Sequence, residues 1–142
     1  MPKIQSLRAR AFHAQSGRCY YCNFPMWQSQ PELFARSHRL ELGAVNRLQC
    51  TAEHLIAACD GGRLTPENIV AACKYCNQGR HARAKPHLPL QHQQFVRSRL
   101  ARGKWHPRKL FGPLLSPQLT PASAICGSAS EPERGTPRVY ET

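Results

Sequence analysis

Two pairs of cysteines, Cys19 and Cys22 in GRCYYCNFPMW and Cys73 and Cys76 in CKYCNQGRH, constrain this chain more than any other feature. Each pair encloses two residues, and two such knuckles supply the four soft donors that a tetrahedral structural Zn2+ takes. About fifty residues separate the pairs, well beyond the roughly 15–20 of a zinc ribbon. That distance is affordable, because doubling a loop adds only about 0.6 kcal/mol of closure entropy. Two other readings of the pairs stay open. A redox dithiol favours a CxxC that opens a helix after a strand in a βαβ setting; Cys73 does follow a candidate strand, but no βαβ pattern surrounds it. Buried, inert thiols are the third. Cys50, Cys59 and Cys126 read as non-ligands, with Cys59 the nearest rival because it lies in a loop between two candidate strands.

A chain of 142 residues is one domain's worth and buries a modest core, so a metal staple has a clear use. The first thirty residues contain no long apolar run, which gives no reason to place the cysteines in an oxidising compartment; metal-bound or free thiols are favoured over disulfides. No segment approaches the roughly 20 apolar residues that cross a bilayer, and the expectation is a soluble, cytoplasmic protein with no membrane partner. Net charge is +12, and its distribution matters more than its sum: no acidic residue occurs from Asn68 to Ser130, while ten Lys or Arg do. A single-signed block of this kind attracts a polyanion, nucleic acid first among them. A basic surface serving solubility alone, or an anionic membrane, is the competing reading. The two Trp lie outside any repeat, which argues against a stacking platform for single strands.

Apolar residues at Ile4, Leu7, Ala11 and Phe12 predict a short amphipathic helix over Ile4–Gln15, stopped by Gly17. Gln28 to Gln49 reads as an insertion of undetermined form, with a helix starting near Pro31. A strand is expected over Arg47–Ile56 and a second over Ile69–Ala72, joined by a loop whose Gly61–Gly62 pair permits backbone angles that other residues avoid. A helix from Lys74 to about Lys85 follows, until Pro86. The stretch after Pro89 predicts a last basic helix with Phe95, Val96 and Leu100 inward and Gly103 past its end. Beyond Trp105 the chain holds half of its twelve prolines, and a disordered tail is expected from about Leu114.

Within this frame, Asn77 and His81 fall at i and i+4, on one helical face. Glu53 and His54 are neighbours on a strand, so their side chains take opposite faces and different roles. The elements GRCYYC, AEH, GG and PENIVAACKYCNQGR, in that order, resemble the HNH, or ββα-metal, nucleases over roughly residues 5 to 85. The signature positions of that family fall on Glu53, His54, Asn68 and Asn77.

What this resemblance implies is an α+β fold: a small zinc-stabilised ββα-metal (His-Me finger) domain with an N-terminal helix, a C-terminal basic helix and a disordered tail. The nuclease domain would span 1–110, with its core at 5–85 and the basic helix at about 89–103, and the tail 111–142. His54 is similar to the general base that takes a proton from the attacking water, and Asn68 to the Asn that fixes the loop and orients that His. Glu53 and Asn77 resemble ligands of one divalent ion, Mg2+ or Mn2+ given their hard oxygens. His81 matches a metal His of some branches; otherwise it is a solvated or phosphate-contacting side chain. If it ligates, Mn2+, Co2+, Ni2+ or Zn2+ gains ground. Cys19, Cys22, Cys73 and Cys76 would hold the structural Zn2+. The sequence departs from the pattern at Glu53, where Asp is common, and at Arg80, where Lys is frequent. The implied function is metal-dependent hydrolysis of DNA phosphodiesters, with RNA and the oligomeric state left open, and with Arg80, Arg83, Lys85, Arg97, Arg99 and Arg102 contacting phosphates. A zinc-stabilised nucleic-acid-binding protein without cleavage activity is the alternative, and a thiol redox protein a third.

Overall fold

The structure, a computed structural model, describes residues 2–115. The helices are α1 (Ile4–Ala14), α2 (Pro31–Ser37), α3 (Leu42–Val45), α4 (Lys74–His81), α5 (Pro89–Ala101) and α6 (Phe111–Leu115); the strands are β1 (Cys50–His54) and β2 (Ile69–Cys73). The strands form one antiparallel pair whose register runs from Cys50 opposite Cys73 to His54 opposite Ile69. With α4 starting at the residue after β2, the centre of the molecule is a ββα unit. This is the mixed α+β architecture with clustered cysteines that the sequence leads one to expect.

Burial along β1 departs from strict alternation, and that decides what the unit can do. Cys50 and Glu53 are buried, while Thr51, Ala52 and His54 are partly exposed. The strand is shorter than expected at both ends, for identifiable reasons. Asn46–Leu48 winds into a turn of 3-10 helix that buries Leu48. At the other end, both backbone polar groups of Ile56 are taken by the side-chain amide of Asn68, which removes them from ladder pairing.

Helix α1 lies against the sheet through its one fully buried residue, Leu7, and the side chain after its last turn behaves like a short third strand. Gln15 accepts from the Ala71 N–H at 2.9 Å and donates to the Ala71 carbonyl at 2.8 Å, along the free edge of β2. Cys19–Cys22 forms a tight knuckle: the Cys19 N–H bonds the Phe24 carbonyl, and Tyr20 N–H bonds Ala71. The segment left undetermined by sequence folds as α2 and α3, anchored through Trp27, whose indole N–H donates to the Val45 carbonyl at 2.8 Å.

Helix α4 ends at His81, short of Pro86, and α5 begins at Pro89. The inward set on α5 is Val96 with His92, both fully buried, and Phe95 and Leu100 partly so. Gly103, expected past the end of this helix, has φ +66°, a left-handed conformation suited to its lack of Cβ. Packing continues beyond the boundary expected at residue 110. Leu110 and Leu114 join the core around Tyr21, Phe24 and Leu48, and Phe111 meets Phe24 edge-on. The tail expected to be disordered lies, from residue 116 on, outside the described residues, as does Cys126. Among the described residues no helix is long and apolar enough to cross a membrane.

Candidate metal and nucleic-acid site

The hairpin brings the two knuckles together because Cys73 ends β2 and Tyr20 bonds the middle of that same strand. Sulfurs of Cys19, Cys22, Cys73 and Cys76 lie within 4.8 Å of one another, and all four residues are buried. Zn–S bonds of about 2.3 Å at tetrahedral angles put sulfurs about 3.8 Å apart; Cys22 and Cys73 are separated by 3.9 Å. Backbone donors already point at the sulfurs. Cys73 N–H reaches Cys19 Sγ at 3.2 Å, and Cys76 N–H reaches Cys73 Sγ at 3.4 Å, which also caps α4. Trp105 adds an indole N–H to Cys76 Sγ at 3.2 Å.

Ionisation tells the same story. Burial, followed by the neighbouring sulfurs, pushes the thiols of Cys22 and Cys76 well up. Burial acts in the same direction on Cys19, but hydrogen bonds from the other three cysteines outweigh it and hold that thiol well below its ordinary value. Four buried sulfurs converging on one point are a donor set for a divalent cation such as Zn2+, which binds cysteines as thiolates. The residues therefore fit structural zinc. Cys50 stands outside the cluster, its thiol pushed up to about 11 by burial, and Cys59 is exposed.

The second group forms at the other end of β1. Glu53 is fully buried, and its carboxylate meets two side chains from α4. Arg80 pairs with Oε1 from within, and His81 Nε2 stands 3.2 and 3.3 Å from the two oxygens on the side facing solvent. Arg80 also donates to the carbonyls of His54 at 3.0 Å and His87 at 2.9 Å, with a longer contact to Leu55. A phosphate arm was expected of Arg80; instead the side chain is 6 % exposed and its guanidinium is occupied inside the protein. A buried carboxylate needs a hydrogen-bonded counterion more than a phosphate does, and Arg with its planar fork supplies one. Tyr21 lies in the same field: burial, and after it the Glu53 charge, raise its phenol far above the ordinary value.

Asn68 takes the loop-fixing place. Its Oδ1 accepts from Ile56 N–H at 2.8 Å, and its Nδ2 donates to the carbonyls of Ile56 and Arg63. Gly62 is required within the same loop, since a Cβ there would fall 1.8 Å from the Ile56 carbonyl oxygen. His54 leaves the strand just before this loop, partly exposed, with its backbone carbonyl tied down by Arg80. Asn77 donates its amide N–H to Thr51 Oγ1 at 3.0 Å and to the Ala52 carbonyl at 3.3 Å, which leaves its Oδ1 to a ligand. The fold thus joins Glu53 to His81 directly and sets Asn77 one turn before His81 on α4. Of the basic residues expected at phosphates, Arg83, Lys85, Arg97, Arg99 and Arg102 are exposed. Arg83 lies over the Phe95 ring, 4.6 Å from its centre. Sequence reasoning missed Thr51 and the buried role of Arg80. The available signal was helical spacing, since Arg80 follows Asn77 by three positions.

Residues 38–83 match the family model described as HNH endonuclease. The match spans β1, the connecting loop, β2 and α4, about a third of the chain. Neither the curated proteins nor the solved structures compared with this chain include a match. The stretch 38–83, which holds the ββα unit and one of the two clustered cysteine pairs, is thus similar to the HNH endonuclease family, a likeness that suggests a nuclease or nucleic-acid-binding role with metal.

Proposed function

We infer that the ββα unit is the catalytic centre of a metal-dependent endonuclease that hydrolyses DNA phosphodiesters. The observation that carries this reading is the pairing of a buried acid with a solvent-facing His at the end of one strand, Glu53 and His54, closed by an Asn68 loop clamp. His54 takes a proton from water as its oxygen attacks phosphorus, and the P–O3′ bond breaks to leave a 5′ phosphate and a 3′ hydroxyl. Glu53, Asn77 and His81 would hold Mg2+ or Mn2+, which when bound would supply positive charge to the phosphate oxygens and the departing oxygen. Asn68 and Arg80 keep the backbone from the His54 carbonyl to Ile56 in place.

The reading is tested by nicking of supercoiled plasmid with Mg2+ or Mn2+. His54→Ala is expected to slow cleavage at least about 100-fold, the lower end of what general base catalysis supplies. Equal rates in the two proteins overturn the mechanism. One observation favours a second reading, a zinc-stabilised binder that does not cleave: the Glu53 charge is already neutralised by Arg80. Salt-sensitive DNA binding without cleavage under any divalent ion selects that reading.

A further inference from the structure

A cavity of about 530 Å3 opens between α1 and α4 across the start of β1. One end is lined by Asn77 and His81, residues of the proposed catalytic site. The other is lined by Arg8 and Gln5 of α1, with Lys74 at the first position of α4. Among the described residues no acidic side chain lines it. Arg8 is half-buried, and among the described residues its Nε has no hydrogen-bond partner although that atom is buried. A guanidinium nitrogen shut off from water without an acceptor is costly. Lys74 is exposed at the rim. A cavity with two cations, amide side chains and no carboxylate suits an anionic oxygen, and a phosphodiester supplies oxygens at a geometry that Arg binds well.

We propose that this cavity is a phosphate-binding subsite, in which Arg8 and Lys74 hold a backbone phosphate of the same DNA strand that reaches Asn77 and His81. It rests on the reading above that the domain binds DNA, and it brings α1, which lies outside the family match, into the substrate track. The contact is to backbone alone, so it adds affinity uniformly across sequences.

The test is the affinity of the full zinc-loaded chain for a fluorescein-labelled 20-base-pair duplex, measured by anisotropy over a range of NaCl without Mg2+ or Mn2+, so that no cleavage occurs. Arg8→Gln and Lys74→Gln are each expected to weaken binding roughly three- to tenfold and to lower the log–log salt slope by about 0.9, the value for one phosphate contact. Gln5→Glu, at an exposed position that needs no repacking, is expected to weaken binding as well. Arg36→Gln, exposed on α2 away from the cavity, is expected to leave affinity and slope unchanged. If the three cavity variants match Arg36→Gln while wild type binds, the subsite is overturned and the nuclease reading stands. If wild type shows no salt-dependent binding, both fall. Zinc content of each variant, equal to wild type, shows that the fold is retained.

Discussion

Arg80 and His106 are the two side chains whose burial makes the sharpest demands. Glu53 and Arg80 are buried against each other, so removing the guanidinium leaves a buried carboxylate without its counterion. Arg80→Met is expected to cost about 3–5 kcal/mol of stability, read by urea denaturation. Arg80→Lys is expected to recover only part of this, because one ammonium cannot reach the carboxylate and the carbonyls of His54 and His87 together. His106 stacks on Phe24 with ring centres 4.7 Å apart, and neither of its nitrogens has a partner among the described residues. Burial, then the nearby charge of Arg47, lowers its ionisation to about 4 from an ordinary 6.5. Between those two values the unfolded chain binds a proton that the folded chain refuses, so stability falls as pH falls through this window. His106→Phe keeps the stack and is expected to remove that part of the acid sensitivity, seen as a smaller difference in Tm between pH 7 and pH 5. The four cysteines were legible in the sequence because their spacing alone prescribes a cluster, and the left-handed turn at Gly61 because Gly suits it, whereas a role for Asn68 came only through the family resemblance. Arg80 was not legible. A cation in a basic block looks the same on paper whether it faces solvent or a buried acid, and only the depth of Glu53 separates the two.

Among the elements, the segment after α4 has the least expected role. Helix α5 and the chain behind it reach back to the second knuckle: His92 Nε2 lies 2.9 Å from the Cys76 carbonyl, and Trp105 donates to Cys76 Sγ. An N–H donor spreads the negative charge of a thiolate and makes it a poorer nucleophile and a poorer target for protons. Trp105→Phe, which keeps a ring but loses the donor, is expected to release zinc to a chromogenic chelator several-fold faster than wild type with little change in helix content. Gly79 faces the same indole, with room for no Cβ: an added methyl would meet Trp105 at 2.9 Å. Gly79→Ala is therefore expected to push the indole away and to speed zinc loss as well. The sequence predicted α4 and α5 as separate basic helices. It held no sign that the second covers the sulfur site, because the contact joins residues almost thirty positions apart and follows no local period. Strand ends were misjudged for a related reason: the Asn68 amide takes the backbone groups of Ile56 that apolar patterning assigns to the ladder.

At the level of the whole molecule, the zinc site and the apolar core are one object, since the four cysteines lie in the same buried cluster as Tyr21, Phe24, Val96 and Leu110. Chelating the metal leaves four thiols in the middle of that cluster, and Cys73→Ser removes both a ligand and the cap of α4. Each is expected to abolish cooperative unfolding of the ββα unit, monitored by circular dichroism, and readdition of Zn2+ is expected to restore it only after chelation. The cysteine spacing announced a four-sulfur cluster, and the structure brings the two pairs together. The connection between α1, α5 and the centre was not readable, because it rests on single side chains such as Gln15 and Trp105. The register of the hairpin has one more consequence, for length variation and protein engineering. From Cys50 to Asn77 every position is counted, since one deleted residue in either strand turns Glu53 outward and His54 inward. The stretch between Trp27 and Asn46 carries none of the site residues and is tied to the rest by the Trp27 indole bond to the Val45 carbonyl. A fusion partner inserted near Arg39, at the exposed turn after α2, should leave the metal-binding frame intact, and this is the place to split the chain for complementation assays.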